Sequence, residues 1–78
     1  MNQYIATFFT HFGAVRFSRM LKEQGIDCKV MPVPRKVSSS CGSCVRFTAA
    51  EETHFRTEDV EGMYLAEGEG YTQLYSSL

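Results

Sequence analysis

The sequence predicts an α+β fold, and three observations carry that prediction. A β-forming run opens the chain at Gln3 to Phe9 (QYIATFF). Apolar residues at helical spacing follow from His11 to Gln24, and a strictly alternating stretch closes the unit at Ile26 to Met31.

Each element has its own local reason. The first run ends at Thr10, a residue type whose side-chain oxygen accepts from the N–H groups of a helix's first turn, so Thr10 is expected to cap the helix. Inside it Ala14, Phe17 and Leu21 recur at spacings of three and four, flanked by Val15 and Met20, while Arg16, Arg19, Lys22 and Glu23 turn outward. Gly25 is placed to stop the helix in a left-handed conformation. Ile26, Cys28 and Val30 then alternate with Asp27 and Lys29, the period of a strand with one buried face. Pro32 and Pro34 forbid continuation of a central strand, so Arg35 to Gly42 is a loop.

Ser43 to Thr48 (SCVRFT) is again strand-like. Ala49, Ala50, Glu51 and Glu52 favour a short second helix within Ala49 to Asp59, although Phe55 alone is there to be buried. Met63 to Glu67 and Tyr71 to Tyr75 flank Gly68-Glu69-Gly70 and read as a terminal strand or hairpin. The order β-α-β-β-(α)-β is that of a split β-α-β, ferredoxin-like sandwich, with helices on one face of an antiparallel sheet. In that topology the loop between the second and third strands shares an end of the sheet with the first helix's N-terminus. The loop is therefore expected to approach His11.

The 78 residues are read as one domain spanning 1–78. Scaling of surface with mass gives burial of roughly 8,000 Å², a thin core against its entropy cost, so a homodimer is an expectation. Net charge is -1, which argues against a basic nucleic-acid binder. The charge is nonetheless uneven: residues 1–48 hold seven Lys/Arg against two carboxylates, and residues 49–78 hold Arg56 against seven. Apolar runs are too short to span a bilayer, and no basic-then-apolar leader opens the chain, so the expected location is the cytoplasm, with no membrane partner. Three cysteines, Cys28, Cys41 and Cys44, are too few for a disulfide scaffold and are expected to be reduced.

Cys41 is the candidate for chemistry. It follows Ser38-Ser39-Ser40 and precedes Gly42, a small, hydroxyl-rich stretch able to turn backbone N–H groups inward as an anion nest. Arg35 and Arg46 stand a few positions either side, and positive charge with inward N–H groups favours thiolate over thiol. Cys28, inside an alternating strand, reads as inert core. Cys41-Gly42-Ser43-Cys44 is a C-x-x-C, which leaves a reversible dithiol open, with Cys44 as resolving thiol. Zinc would need two more ligands from Cys28, His54 or His11, and no second C-x-x-C is present, so no metal or other cofactor is expected. His11 at a helix N-terminus suits a neutral base or hydrogen-bond partner. Glu51, Glu52, Glu58, Asp59 and Glu61 read as a solvated acidic face. Neither a P-loop nor a G-x-G-x-x-G occurs, which excludes the usual nucleotide enzymes.

Tyr4-Ile5-Ala6-Thr7-Phe8, Thr10-His11 with Ala14, and Val33-Pro34-Arg35-Lys36-Val37-Ser38-Ser39-Ser40-Cys41-Gly42 followed by Val45-Arg46-Phe47 together resemble the selenium/sulfur (Se/S) carrier protein-like family of small bacterial and archaeal proteins. Val60 to Tyr64 (VEGMY) is similar to that family's last strand. The resemblance implies that Cys41 is the signature cysteine, with Arg35, the serines Ser38 to Ser40 and Gly42 around it. It further implies a carrier rather than an autonomous enzyme. Cys41 would accept sulfane sulfur or selenium as a persulfide or selenopersulfide, and the partners would be donor and acceptor proteins. Two other readings stay open: an anion-binding or interaction module centred on the serine loop, and a Cys41/Cys44 redox switch.

Overall fold

The computed structural model describes residues 1–77. In chain order these form strand β1 (Asn2–Phe8), helix α1 (His11–Glu23), strands β2 (Cys28–Pro32) and β3 (Ser43–Ala49), a 3-10 turn at Thr53–Phe55, and strands β4 (Val60–Glu67) and β5 (Gly70–Ser76). The strands make one five-stranded sheet in the order β2-β3-β1-β4-β5. Every neighbouring pair is antiparallel.

The α1 boundaries follow from local chemistry. Thr10 is extended and its Oγ1 accepts from the Gly13 N–H at 3.1 Å, as a cap should. At the other end Gly25 adopts φ +73°. Its N–H reaches the Lys22 carbonyl at 3.1 Å and the Ile26 N–H reaches that of Leu21 at 2.9 Å, the paired bonds of a Schellman stop. Ile26, just past the stop, packs on the core.

The helix lies over β1, β2 and β3 and buries Ala14, Phe17 and Leu21 against Tyr4, Ala6, Phe8, Val45 and Phe47. Phe47 is the centre of this layer, with ring centroids of Tyr4, Phe17 and Phe55 at 5.4, 5.6 and 5.5 Å. Such tilted and edge-on ring contacts add to the burial of area itself. Alternation sends Ile5, Thr7, Cys44 and Arg46 to the opposite, helix-free face. Ile5, Thr7 and Cys44 are nevertheless fully buried.

Two expectations require correction. The second helix does not form, so the ferredoxin-like layer of two helices becomes one helix on a five-stranded sheet. The reason is local: the Glu51 carboxylate accepts from the Thr53 N–H at 2.7 Å, from the Thr53 hydroxyl and from His54, which satisfies donors that a helix would need. Without an apolar stripe nothing outweighs those bonds; Phe55 alone turns inward. The C-terminal segment is the hairpin of the two alternatives, β4 with β5. Val30 is 36% exposed although it alternates with Lys29, because β2 is an edge strand at the margin of α1.

Candidate functional site

Residues 33–42 form the loop between β2 and β3. Its base is pinched by the Val33 N–H donating to the Gly42 carbonyl at 3.1 Å, one step beyond the last strand pair, Pro32 with Ser43. A turn at Pro34 to Val37 is closed by the Val37 N–H at 3.0 Å. It leaves Arg35 and Lys36 exposed and turns Val37 inward.

The serine stretch then runs over the end of β1 and the start of β4. Ser39 Oγ donates to the Phe8 carbonyl at 3.3 Å. The Ser40 N–H lies 3.0 and 3.2 Å from the two carboxylate oxygens of Glu61, and its hydroxyl donates to the same carboxylate. Glu61 is only 6% exposed, and a carboxylate at that depth needs such donors to be tolerated. The inward N–H expected at this loop therefore serves an anion supplied by the chain itself. Thr7, Ser38, Ser40, Glu61, Tyr64 and Gln73 line a cleft of about 330 Å³ beside this contact.

Cys41 turns the other way. It is half-buried, packs against the core on the α1 side, and its Sγ donates to the Ser43 carbonyl at 3.4 Å. Ser43 Oγ in turn bonds His11 Nδ1 at 2.8 Å. Ser43 thus links Cys41 to the first residue of α1, and the approach of the loop to His11 expected from connectivity is present.

Cys44, three residues on, lies on the helix-free face and is fully buried. Its Sγ donates to the Pro32 carbonyl at 3.7 Å. Burial, reinforced by the charge of nearby Cys41, pushes its thiol up to about 11. Cys28 sits under α1 with its Sγ 3.6 Å from both the carbonyl and the hydroxyl oxygen of Ser18.

The remaining candidates are dispersed. Arg35 is exposed at the loop's turn. Arg46 is exposed on the helix-free face, opposite Lys29 in register, whereas Ser43 and Val45 face α1. Gly42 is at the pinched base, and Ser38 lines the cleft beside Glu61. His54 is tied to Glu51 at the surface. No group of three or more His, Cys, Asp or Glu among the described residues is arranged to hold a metal ion.

Sequence reasoning missed Glu61. It assigned the whole acidic run to solvent, whereas Glu61 holds Ser40, Glu52 pairs with Arg56, and Asp59 pairs with Arg16 at 2.6 Å. Next to Glu61, Gly62 marks where β4 meets β1 closely: a Cβ there would stand 3.1 Å from Thr7 Oγ1. No helix among the described residues is long and apolar enough to cross a membrane.

Neither the curated proteins nor the solved structures give a significant match to this chain. A family model does match, over residues 3–65, which takes in β1, α1, β2, loop 33–42, β3 and most of β4 and leaves β5 outside. Because the match spans most of the 78 residues and the whole Cys41 loop, the chain belongs to the family described as "Putative Se/S carrier protein-like".

Proposed function

We propose that the protein carries sulfane sulfur or selenium on Cys41 between a donor and an acceptor protein. In the loading step the Cys41 thiolate attacks the terminal sulfur of a donor persulfide. The donor's S–S bond breaks, its electron pair leaves with the donor thiolate, and a new S–S bond stands on Cys41. Delivery reverses the pattern: a nucleophile on the acceptor takes the terminal sulfur and the Cys41 thiolate is regenerated. No external oxidant or reductant is needed, and the protein acts stoichiometrically rather than as an autonomous enzyme.

The observation that carries this reading is the contrast between the two neighbouring thiols. Cys41 stands at the rim of the sheet, half-buried and linked through Ser43 to the start of α1. Cys44 is sealed beneath the other face, where burial pushes its thiol up to about 11 and keeps it protonated at neutral pH. A sulfur loaded on Cys41 is thereby protected from internal attack, which weighs against the redox switch. The serine loop offers its Ser40 N–H to Glu61, which weighs against an anion-binding module at that point.

Intact-mass spectrometry after incubation with a low-molecular-weight persulfide tests the proposal. The expected result is a gain of one sulfur atom that persists in Cys44→Ser and Cys28→Ser and disappears in Cys41→Ser. A gain that survives Cys41→Ser, or none at all in the wild type, rejects it.

A further inference from the structure

A second feature stands apart from Cys41 and goes beyond the carrier reading. On the helix-free face, β2 and β3 place Lys29 directly opposite Arg46. Like charges facing each other across an antiparallel pair repel, and their Cβ atoms stand only about 5 Å apart. Neither side chain has an ion pair or hydrogen bond to any described residue.

Both cations line one cleft of about 240 Å³ at the β2 edge of the sheet. Its other polar groups are Gln3 on β1, Thr48 on β3 and Asp27 just before β2. Asp27 fixes this corner, its carbonyl accepting the Thr48 N–H at 3.3 Å. Its carboxylate forms no ion pair with either cation, so the cleft keeps a surplus of positive charge. A guanidinium fork and an ammonium at this separation can grip one oxyanion from two sides. The carboxylate at the rim disfavours an extended polyanion such as nucleic acid, and the Gln3 amide and Thr48 hydroxyl add donors for a compact one.

We propose that this cleft binds a small phosphate-type oxyanion between Lys29 and Arg46, either free or as the terminal group of a small molecule. Binding would turn a repulsive cross-strand pair into a bridged one. The site needs no part of loop 33–42.

The test is thermal unfolding and isothermal titration of the 78-residue chain in a phosphate-free buffer at constant ionic strength. Inorganic phosphate and a simple phosphomonoester are compared with chloride. Phosphate is expected to raise the melting temperature where chloride does not, and a phosphomonoester that binds more tightly than phosphate identifies the larger ligand. Lys29→Met and Arg46→Met should each melt above the wild type without phosphate, because the repulsion is gone, and bind phosphate about tenfold or more weakly. A rise equal in chloride, or one that persists in the Lys29→Met/Arg46→Met double variant, overturns the proposal.

Discussion

Residues 2–49 and residues 52–76 complete one sheet by different means. In the first segment α1 presses a hydrocarbon layer onto β1, β2 and β3, with Phe17, Leu21 and Phe47 at its centre. The second segment sends Phe55, Val60 and Met63 into that layer, with Leu65 and Tyr75 packed against it, and adds polar contacts of its own. Arg56 pairs with Glu52 and lies 4.9 Å over the Tyr75 ring, Asp59 grips Arg16, and Glu61 holds Ser40 through its side chain and Ser77 through its carbonyl. The difference teaches that part of the acidic surplus of the second segment, Glu52, Asp59 and Glu61, serves as fastenings. Apolar burial is non-directional and sums over area, whereas each of these fastenings depends on one geometry.

The largest expected effect tests the hydrocarbon side. Phe47→Ala should cost about 3–5 kcal/mol in urea unfolding, because it empties the middle of the aromatic layer. A cost below about 1 kcal/mol would show that the layer does not depend on its centre.

Next comes the strongest of the polar fastenings. Glu61→Ala strips the Ser40 N–H and hydroxyl of their acceptor and should cost about 2–3 kcal/mol. It should also speed iodoacetamide labelling of Cys41, since the residue next to it is released. Glu61→Gln, which keeps an acceptor, should recover most of both. Equal labelling rates in all three proteins would separate Glu61 from the Cys41 corner.

Cys44 provides the hydrocarbon side's counterpart to Glu61, a buried polar group kept neutral rather than paired. The unfolded chain releases this proton near pH 9.0 while the folded chain holds it to about 11. The folded state therefore binds more protons across that interval, and its advantage, fully present below pH 9, is lost as pH rises through it. The loss is of order 2 kcal/mol and should be missing in Cys44→Ala. Urea midpoints of the two proteins, compared at the two ends of the interval, measure it.

The smallest effect belongs to the exposed fastening. Arg16 is 55% exposed in its pair with Asp59, so Arg16→Ala should change stability by less than about 0.5 kcal/mol, and still less at high salt. A loss above 1 kcal/mol would move this pair into the same class as Glu61.

The same division governs what could be read from the chain. Thr10, Gly25 and the spacing of Ala14, Phe17 and Leu21 act within a few residues of themselves, and β1, α1 and their limits were legible to within one residue. The meeting of the loop with His11 followed from connectivity alone. The segment after Thr48 was not legible, because Ala49 to Glu52 have helix propensity but lack an apolar face, and the Glu51 bonds to Thr53 and His54 decide the outcome locally. Glu61 was hidden for the opposite reason. Its burial depends on a donor 21 residues earlier, and nothing around it in sequence announces that partner.

The pinch between Val33 and Gly42 also sets a lever arm. Displacement in a loop grows with distance from its feet, and Cys41 stands one residue from a foot while Ser38 lies near mid-span. If Glu61 lets go, the serines sweep the widest arc, and the sulfur, nearer its foot, moves less but loses the cover of Ser40. Amide exchange should report this as a protected Val33 N–H beside a Ser40 N–H whose protection vanishes in Glu61→Ala. Under the proposed carrier reading, such a loop could loosen for a partner while Cys41 keeps its place.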